Sequence, residues 1–399
     1  MTWLLIAALS STAVWVGLLL FWHGFWRARP RLPAEASAPH TAWPDIVAVI
    51  PARDEAPTIA AVVAAHGASV YPGHFAVIVV DDGSRDGTAA LAAGAARPEG
   101  PEVMVVPAPV LRAGWSGKMA AVAAGIAAVE ATNRPPFSSA RYLLLTDADI
   151  VHAPDTLTRL VSLAERQDLA MVSLMARLET GRGLGRLLVP AYVFFFQKLY
   201  PFQAVASPSS RIAGAAGGCM LVSRAALQAA GGIAAIRGAL IDDCALAGLL
   251  KCAGGRLWLG LAGDEVVSSR DTGRPAVIWQ TVVRTAYVQL RRSPLMLAGC
   301  VVGMAFLYLS GPVAAVTGAV SGAWPLLASG TAAWILQAVA FAPTLAALRV
   351  PRTVAPLLPL AGLLYTLMTL DSAWRDWAGR GAPWKGRTYG DDGAGTAAR

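Results

Sequence analysis

Two long tracts without charged side chains constrain this chain more than any other feature. No Asp, Glu, Lys or Arg precedes Arg27, and Thr2 to Phe25 is apolar and long enough to cross a bilayer as one helix. A second uncharged tract, Pro294 to Ala347, has room for two spans, with a break expected at Gly311-Pro312 or within Gly322 to Pro325. We therefore predict transmembrane helices at both ends of the chain and a water-facing region between them.

Basic residues predict which side of the membrane each loop faces. Three arginines directly follow the first apolar segment, so the positive-inside rule places the N-terminus outside and the next region in the cytoplasm. A shorter apolar stretch, Val354 to Leu370, leads into a basic tail that also prefers the cytoplasm. A full span there would send the tail outside. A re-entrant or interfacial segment, or another division of the long tract, would remove this conflict.

The first segment has one alternative interpretation, a cleaved signal peptide with a processing site at Ala36-Ser37-Ala38. It lacks the basic residue that precedes the apolar core of such peptides, and its arginines follow the core instead. We therefore predict a multi-pass protein of the cytoplasmic (inner) membrane, with its central domain facing the cytoplasm.

The composition follows from these tracts. Hydrophobic residues make up 55% and charged residues 15% of the chain, which is a low charge content for a wholly water-soluble enzyme. The net charge of +8 comes from basic residues clustered near the membrane ends, which suits anionic lipid headgroups rather than nucleic acid. The four cysteines have no metal-site spacing, and we expect Cys244 to be a buried filler rather than a nucleophile.

Between Trp43 and Arg292, apolar strand-like runs alternate with alanine-rich helical runs. The predicted strands are Asp45 to Ile50, Phe75 to Val80, Val103 to Val106 and Tyr142 to Leu145, and the predicted helices are Thr58 to Ala68, Thr88 to Ala96 and Met119 to Ala131. This alternation predicts an α/β domain with a mainly parallel sheet covered on both faces. Ligands of such sheets bind beyond the carboxyl ends of the strands, where acidic motifs of this chain stand.

The loop after the first predicted strand is a candidate nucleotide-binding loop. It runs from Pro51 through Arg53 and Asp54 to Glu55, and its acidic side chains can face a base or a ribose. The same acids would equally favour the positive end of the following helix, so this motif alone leaves both interpretations open.

A more specific motif ends the second predicted strand. Asp81 and Asp82 are followed by Gly83, which permits a tight turn, and a strand-end aspartate can accept hydrogen bonds from uracil or ribose. We predict a binding role for Asp82 and a structural one for Asp86, which stands where the next helix begins.

Lys118 stands at the start of the helix that follows Trp115-Ser116-Gly117. An exposed lysine would be unremarkable on a helix, but a helix N-terminus disfavours a cation and favours an anion. We therefore consider Lys118 a candidate contact to donor phosphates or to the acceptor.

Asp147-Ala148-Asp149 follows a predicted buried strand and is the strongest local signal. Two carboxylates flanking one residue can share a divalent cation with a diphosphate, and Mg²⁺ and Mn²⁺ both prefer oxygen ligands. Such a cation would neutralise charge on a leaving nucleoside diphosphate. The alternative is an ordinary turn.

Asp242-Asp243 follows a glycine-rich stretch, Gly214 to Met220, that can form a backbone wall at a bound sugar. Either acid can deprotonate an acceptor hydroxyl, and we favour Asp243 as this base. The alternative is a helix N-cap ahead of Cys244 to Leu250.

A helix that reads as entering the membrane carries Gln280 and Arg284 four residues apart, on one face. Arg284 is a candidate contact to a diphosphate or a lipid headgroup, whereas Arg291 and Arg292 read as ordinary topology anchors.

Taken together, these motifs resemble the family 2 glycosyltransferases of the GT-A fold, over roughly Pro44 to Arg292. The resemblance implies that Asp82 contacts the nucleotide, that Asp149 and Asp147 hold Mg²⁺ or Mn²⁺, and that Asp243, beside Asp242, is the base. It also implies an inverting transfer from a nucleotide sugar, with a UDP-sugar as the first candidate.

A closer resemblance is to the hopene-associated glycosyltransferases, which implies a hopanoid or polyisoprenoid lipid acceptor. The segments that carry it are Gly114 to Lys118, Ile241 to Leu246 and Arg284 to Leu290. The chain departs from the wider family in two ways. The Gln-x-x-Arg-Trp motif of processive synthases is absent, which favours a single sugar transfer, and the acidic pair begins with Asp242 rather than Glu.

The sequence thus predicts four regions, namely an N-terminal anchor (1–26), a GT-A domain (43–292), C-terminal membrane segments (293–372) and a basic tail (373–399). Two rival functions stay open. One is a transferase that acts on a polyprenyl phosphate, an acceptor that needs no strong base. The other is a non-catalytic lipid-binding scaffold.

Overall fold

A computed structural model describes residues 1–34 and 42–380, together with three short strands beyond them, Ala382–Trp384, Arg387–Tyr389 and Gly395–Ala397. The candidate processing site at Ala36-Ser37-Ala38 lies outside the described residues, as does much of the predicted basic tail beyond Arg380. The chain forms two compact units. We call Arg29–Arg177, Ala204–Arg270 and Pro383–Arg399 the sheet unit, and Met1–Ala28, Leu178–Gln203 and Asp271–Ala382 the helical unit.

The sheet unit is built on one seven-stranded sheet with the order β3-β2-β1-β4-β7-β6-β8. Its strands are β1 (Ile46–Ala52), β2 (Phe75–Asp81), β3 (Glu102–Pro107), β4 (Tyr142–Thr146), β6 (Met171–Met175), β7 (Cys219–Ser223) and β8 (Leu257–Leu261). A separate antiparallel pair joins β5 (Ile150–His152) to β9 (Val266–Ser268). Only β7 runs against its sheet neighbours. The predicted α/β fold with a mainly parallel sheet is confirmed.

Helices between the early strands cover the sheet, as the alternation predicts. They are Ile59–Gly67, Thr88–Gly94 and Gly117–Ala131, each within two residues of the predicted bounds. The last of these lies very close to β1 and β2, because Gly125 faces the sheet and a Cβ there would overlap the Val49 side chain. The strand β1 it covers is almost wholly buried.

The direction of β7 brings a further segment to the carboxyl ends of the parallel strands. Thr146 at the end of β4 pairs with Cys219 at the start of β7. The segments that follow β1, β2 and β4 and the glycine-rich segment that precedes β7 therefore meet at one edge of the sheet.

In the helical unit, four of the described helices are long and apolar enough to cross a membrane: Thr2–Phe21, Pro294–Ser321, Trp324–Ala347 and Arg352–Trp377. The long tract breaks at Gly322, which has a left-handed φ of 67°. Of the two predicted break sites, Gly311-Pro312 is therefore wrong, because the helix continues through it.

A π-helical turn, Ala305–Leu309, precedes that proline. Pro312, five residues after Leu307, has no N–H to donate to the Leu307 carbonyl. That carbonyl instead accepts from Trp15 Nε1 and Gln337 Nε2, each at 2.9 Å. Neighbouring helices thus satisfy the backbone group that the proline leaves without a partner, as an apolar setting requires.

The last helical segment turns back on itself within the helical unit. It starts as a 3₁₀ helix, Arg352–Leu357. Near the end of this 3₁₀ helix, the Pro356 carbonyl accepts a hydrogen bond of 2.8 Å from Nε1 of Trp334, which lies in the middle of the preceding helix, Trp324–Ala347. The helix Leu358–Trp377 then runs back, and Asp376 near its end forms an ion pair with Arg292 at 3.2 Å. Because Arg292 directly precedes the helix that begins at Pro294, this last helix ends at the level where that earlier helix begins.

Candidate active site

The loops after β1 and β2 are joined into one structure. Arg53 Nη1 donates to the Asp82 carbonyl at 2.6 Å and lies 3.5 Å from its carboxylate, which is buried. Asp81 is half-buried, and its carboxylate accepts from the Ser84 backbone N–H at 3.3 Å. The predicted tight turn at Gly83 is confirmed by its φ of 70°.

A second set of hydrogen bonds ties the Pro51–Glu55 loop to the helix after β2. The backbone N–H groups of Asp54 and Glu55 donate to Ser84 and Thr88, at 3.0 and 2.8 Å. Asp86 accepts from the Ala56 N–H at 2.9 Å and also from Thr88, and these bonds lower the pKa of its carboxyl. Asp86 therefore has the structural role that the sequence predicts for it.

Lys118 joins the two acidic motifs that the sequence could only place separately. Its Nζ lies 2.8 Å from Asp147 Oδ1 and 3.0 Å from Asp242 Oδ2. Ser116 caps the helix by accepting from the Met119 N–H at 3.3 Å, which fixes where Lys118 projects. Although burial opposes the charge of Lys118, the two aspartates raise its pKa, so it is a permanent cation. It is not the exposed helix-start lysine of the alternative interpretation.

Asp149 is held by residues that the sequence analysis did not single out. Its side chain is buried, and Oδ2 receives the Ser268 hydroxyl at 3.0 Å and Arg270 Nε at 3.1 Å. Arg270 also reaches Glu55 Oε1 with Nη2, at 3.2 Å. Burial raises the pKa of Asp149 even though Arg270 opposes the shift. No local motif marks Arg270, because its partners are far away in the sequence.

Asp243 is held by backbone groups. Its Oδ2 accepts from the Gly217 N–H at 2.9 Å and its Oδ1 from the Cys244 N–H at 2.7 Å. Burial raises its pKa to about 6, and the neighbouring charge of Asp242 adds to the shift. The helix runs over Asp242–Cys252 with Ile241 at the cap position and no side-chain cap, so the N-cap interpretation of the acidic pair is wrong.

Beneath these polar groups lies a small hollow that opens to solvent. Its lining combines the charged residues Lys118, Asp147 and Asp242 with the apolar residues Met119, Val122, Leu145, Met220 and Leu246. Pro51 and Gly217 also contribute to the lining. This edge of the sheet thus combines one apolar hollow with a ring of convergent charges, which is typical of a small-molecule site.

The donor set fits a divalent cation of the hard, oxygen-preferring kind. Within the described part of the chain, no group of three or more His, Cys, Asp or Glu residues could hold a metal on its own. Mg²⁺ sites usually combine one or two carboxylates with substrate phosphates and water, so Asp147 and Asp149 are sufficient when a diphosphate completes the shell. A cation there would also offset the cost of burying the Asp149 carboxylate.

Arg284 and Gln280 lie outside the sheet unit. They are on the helix Pro275–Gln289 of the helical unit, with Arg284 half-buried and Gln280 exposed. Their role in binding a diphosphate or a lipid headgroup stays a prediction.

Residues 47–231 match a family model described as Glycosyl transferase family 2. Among solved structures, the chain is similar to a mannosyltransferase from Pyrobaculum calidifontis in complex with GDP-Man and Mn²⁺, with 20% identity, a TM-score of 0.53, and coverage of 93% of this chain and 98% of that one. It is also similar to glucosyl-3-phosphoglycerate synthase from Mycobacterium tuberculosis, with 21% identity, a TM-score of 0.38, and coverage of 62% of this chain and 80% of that one. The comparison with curated proteins gives no match.

The fold, the ordered acidic motifs and the family match lead to one conclusion. The chain has the GT-A glycosyltransferase fold, and its residues 47–231 match the family 2 glycosyltransferases.

Proposed function

We propose that this protein is a membrane-bound, inverting glycosyltransferase that uses Mg²⁺ or Mn²⁺ and moves one sugar from a nucleotide sugar to a lipid hydroxyl. The observation that carries the proposal is the meeting of Asp147, Asp149, Asp242 and Asp243 with Lys118 at one edge of the sheet. So many charges at a sheet edge serve stability poorly. They suit a ligand that brings a cation and a diphosphate.

Each group then has a task in the transfer. Asp147 and Asp149 would hold the cation, which when bound supplies Lewis-acid stabilisation of the leaving diphosphate. Lys118 adds a fixed positive charge beside Asp147. Asp82 and Arg53, which contact each other, would bind the nucleoside.

Asp243 would act as the base. The acceptor oxygen forms a bond to the anomeric carbon while the bond from that carbon to the diphosphate oxygen breaks. The acceptor proton passes to the Asp243 carboxylate, and the nucleoside diphosphate leaves with the bonding electron pair. A single displacement of this kind inverts the anomeric configuration. A pKa of about 6 leaves the carboxyl mostly ionised at neutral pH yet basic enough to take a proton.

A hydroxyl-bearing lipid is the acceptor that these features favour. Four described helices are apolar enough to span a membrane, and the motifs that resemble hopene-associated enzymes suggest a hopanoid or polyisoprenoid. A polyprenyl phosphate is already an anion and would need no base. The raised pKa of Asp243 supports the hydroxyl acceptor over this rival.

For the membrane topology, we propose three crossings and one re-entrant segment. The ion pair between Arg292 and Asp376, together with the bond from Trp334 to Pro356, supports a last segment that reaches the middle of the bilayer and returns. This arrangement places the arginines that follow the first, third and last helical segments on one side, as the positive-inside rule asks of a cytoplasmic face. It removes the conflict that a fourth crossing would create for the basic tail.

Cysteines introduced by Gly322→Cys and Arg380→Cys, in a chain whose native cysteines are replaced by serine, would test this topology. With three crossings, a membrane-impermeant maleimide labels one of them in intact cells and the other in inverted vesicles. Labelling of both from the same side would mean a fourth crossing.

The function itself is tested by turnover. The purified full-length protein is incubated with Mn²⁺ and UDP- or GDP-sugars, with and without total bacterial lipid extract, and products are identified by mass spectrometry. We expect a glycosylated lipid that bears one sugar. A folded protein that neither binds a nucleotide nor turns over a nucleotide sugar would favour the scaffold function.

A further inference from the structure

Arg270 links two acidic groups from different parts of the site, and none of the roles above uses it. Its guanidinium lies 3.1 Å from Asp149 Oδ2 through Nε and 3.2 Å from Glu55 Oε1 through Nη2. The arginine side chain is 42% exposed, whereas the carboxylates of Asp149 and Glu55 are 9% and 13% exposed. The arginine therefore covers the two acids from the solvent side.

The contacts of Asp149 leave little room for a metal ion on the same oxygen. Oδ2 receives both the Ser268 hydroxyl and the Arg270 guanidinium, and a carboxylate oxygen has about two lone-pair positions. A cation that binds this oxygen must displace one donor. Ser268 is buried on β9, whereas Arg270 lies beyond the end of that strand and its side chain reaches solvent, so Arg270 is the donor that a cation can displace at lower cost.

A displaced guanidinium would stay beside the cation and its diphosphate. Its second partner, Glu55, belongs to the loop after β1, and in the proposed function this loop binds the nucleotide-sugar donor. A guanidinium presents parallel N–H donors that match phosphate oxygens in a bidentate way, which a lysine ammonium does not.

We propose that Arg270 is a diphosphate-binding residue that exchanges partners when the donor arrives. Without donor it neutralises Asp149, and with donor it releases Asp149 to the divalent cation and binds the diphosphate oxygens. The ligand class is a nucleoside diphosphate, whether as the sugar donor or as the leaving product. This inference rests on the proposed function.

The exchange predicts two effects of opposite sign for Arg270→Gln. Without nucleotide, Mn²⁺ should bind about tenfold more tightly, because a competing cation has been removed from Asp149. With Mn²⁺ present, UDP or GDP should bind about tenfold more weakly, because charge-assisted bonds to the diphosphate are lost. An ion pair that never contacts the diphosphate would not give opposite signs, since its loss would leave the nucleotide affinity unchanged.

The measurements are Mn²⁺ binding by electron paramagnetic resonance and nucleotide binding by calorimetry, on the full-length protein in detergent. Arg270→Lys keeps the positive charge but loses the parallel N–H donors of the guanidinium. This variant should therefore bind Mn²⁺ like the parent and bind nucleotide more weakly than the parent. The matched control is Arg134→Gln, which removes an exposed Arg–Glu pair at the start of β3, the opposite edge of the sheet, and should change neither affinity.

Each outcome separates this inference from the proposed function. Opposite shifts in Arg270→Gln support the exchange. If the parent binds Mn²⁺ and nucleotide but Arg270→Gln shifts both in one direction or neither, the exchange is wrong and the proposed function stands. If the parent itself binds neither ligand, both proposals are wrong.

Discussion

The two acidic pairs at the sheet edge are held by different kinds of partner. In Asp147-Ala148-Asp149, each carboxylate faces a cation, Lys118 for the first and Arg270 for the second. In Asp242-Asp243, the second carboxylate is held by two backbone N–H groups, while its neighbour faces Lys118. The pairs share an edge and a residue type, yet their electrostatic surroundings differ.

This difference suits the two pairs to different chemistry. A carboxylate that already pairs with a cation can exchange it for another cation, so the Asp147 pair suits metal binding. Burial and then the neighbouring charge of Asp242 raise the pKa of Asp243 to about 6, and its backbone N–H donors orient the carboxylate without supplying a full counter-charge. In the proposed function the same kind of side chain would therefore be a metal ligand at one position and a base at the other, and its surroundings would decide which.

Removal of the metal-binding carboxylate should have the largest effect on transfer. We expect Asp149→Ala to lower metal-dependent turnover by about 10³-fold, because the charge that stabilises the leaving diphosphate is lost. Turnover at saturating Mn²⁺ measures this. Asp264→Ala is the control, since Asp264 is an exposed partner of Arg177 and should leave turnover unchanged. Substantial activity in Asp149→Ala would mean that this residue does not hold the metal.

Removal of the base should come next. Asp243→Asn keeps an oxygen that can accept from the Gly217 N–H but cannot take a proton, so we expect transfer to a hydroxyl acceptor to fall by about 10²-fold or more. The nucleotide affinity of this variant should stay within about twofold of the parent's, because the proposed role of Asp243 is to take a proton from the acceptor and not to bind the nucleotide. Undiminished transfer to a polyprenyl phosphate would instead favour the rival acceptor.

The pH dependence should report the same carboxyl. Because Asp243 must be ionised to accept a proton, kcat/KM should fall as the pH drops through about 6, the pKa of Asp243, with a loss of about tenfold between pH 7 and pH 5. Lys118 lowers this pKa, so Lys118→Met should move the midpoint to higher pH. A midpoint that stays in place in Lys118→Met, or a rate that is flat from pH 5 to 7, would contradict the assignment.

The smallest effect on the rate of transfer should come from a change in the packing between the sheet and the helix that carries Lys118. Gly125→Ala should destabilise the sheet unit by about 1–3 kcal/mol, since the added methyl overlaps Val49 beneath the helix that carries Lys118. Thermal unfolding measures the loss. Gly94→Ala is the matched control, because apart from its chain neighbours and its own helix backbone no atom lies within 4 Å of its Cβ position, and it should be neutral or slightly stabilising. Equal stability of the two variants would show that the close packing at Gly125 is not required.

The first half of the fold was predictable because its strands are continuous apolar runs that end at acidic residues. The bounds predicted for β1, β2, β3 and β4 differ from the observed ones by two residues or fewer. The later strands were not predicted. Between β6 and β7 the chain leaves the sheet unit to form Leu178–Gln203 of the helical unit, and β7 then returns in the opposite direction. Such non-local pairing has no local sequence signal.

The candidate site divides in the same way. Asp82, Lys118, Asp147, Asp149 and Asp243 could be singled out because each stands in a recognisable motif at a strand end or a helix start. Arg270 could not, because its partners Glu55 and Asp149 are 215 and 121 residues earlier in the chain. Nothing around Arg270 in the sequence distinguishes it from the other arginines near the apolar helices.

The sequence by itself determined the apolar helices, the strand-end acids and hence the class of enzyme, since each of these depends on residues that are close along the chain. The tertiary structure decided which acids share a partner, as when Lys118 joins Asp147 to Asp242, and where the last apolar segment turns back. The physical reason is that strand order and helix packing bring distant segments together. Only then does each charge acquire the neighbours that set its pKa and its partner.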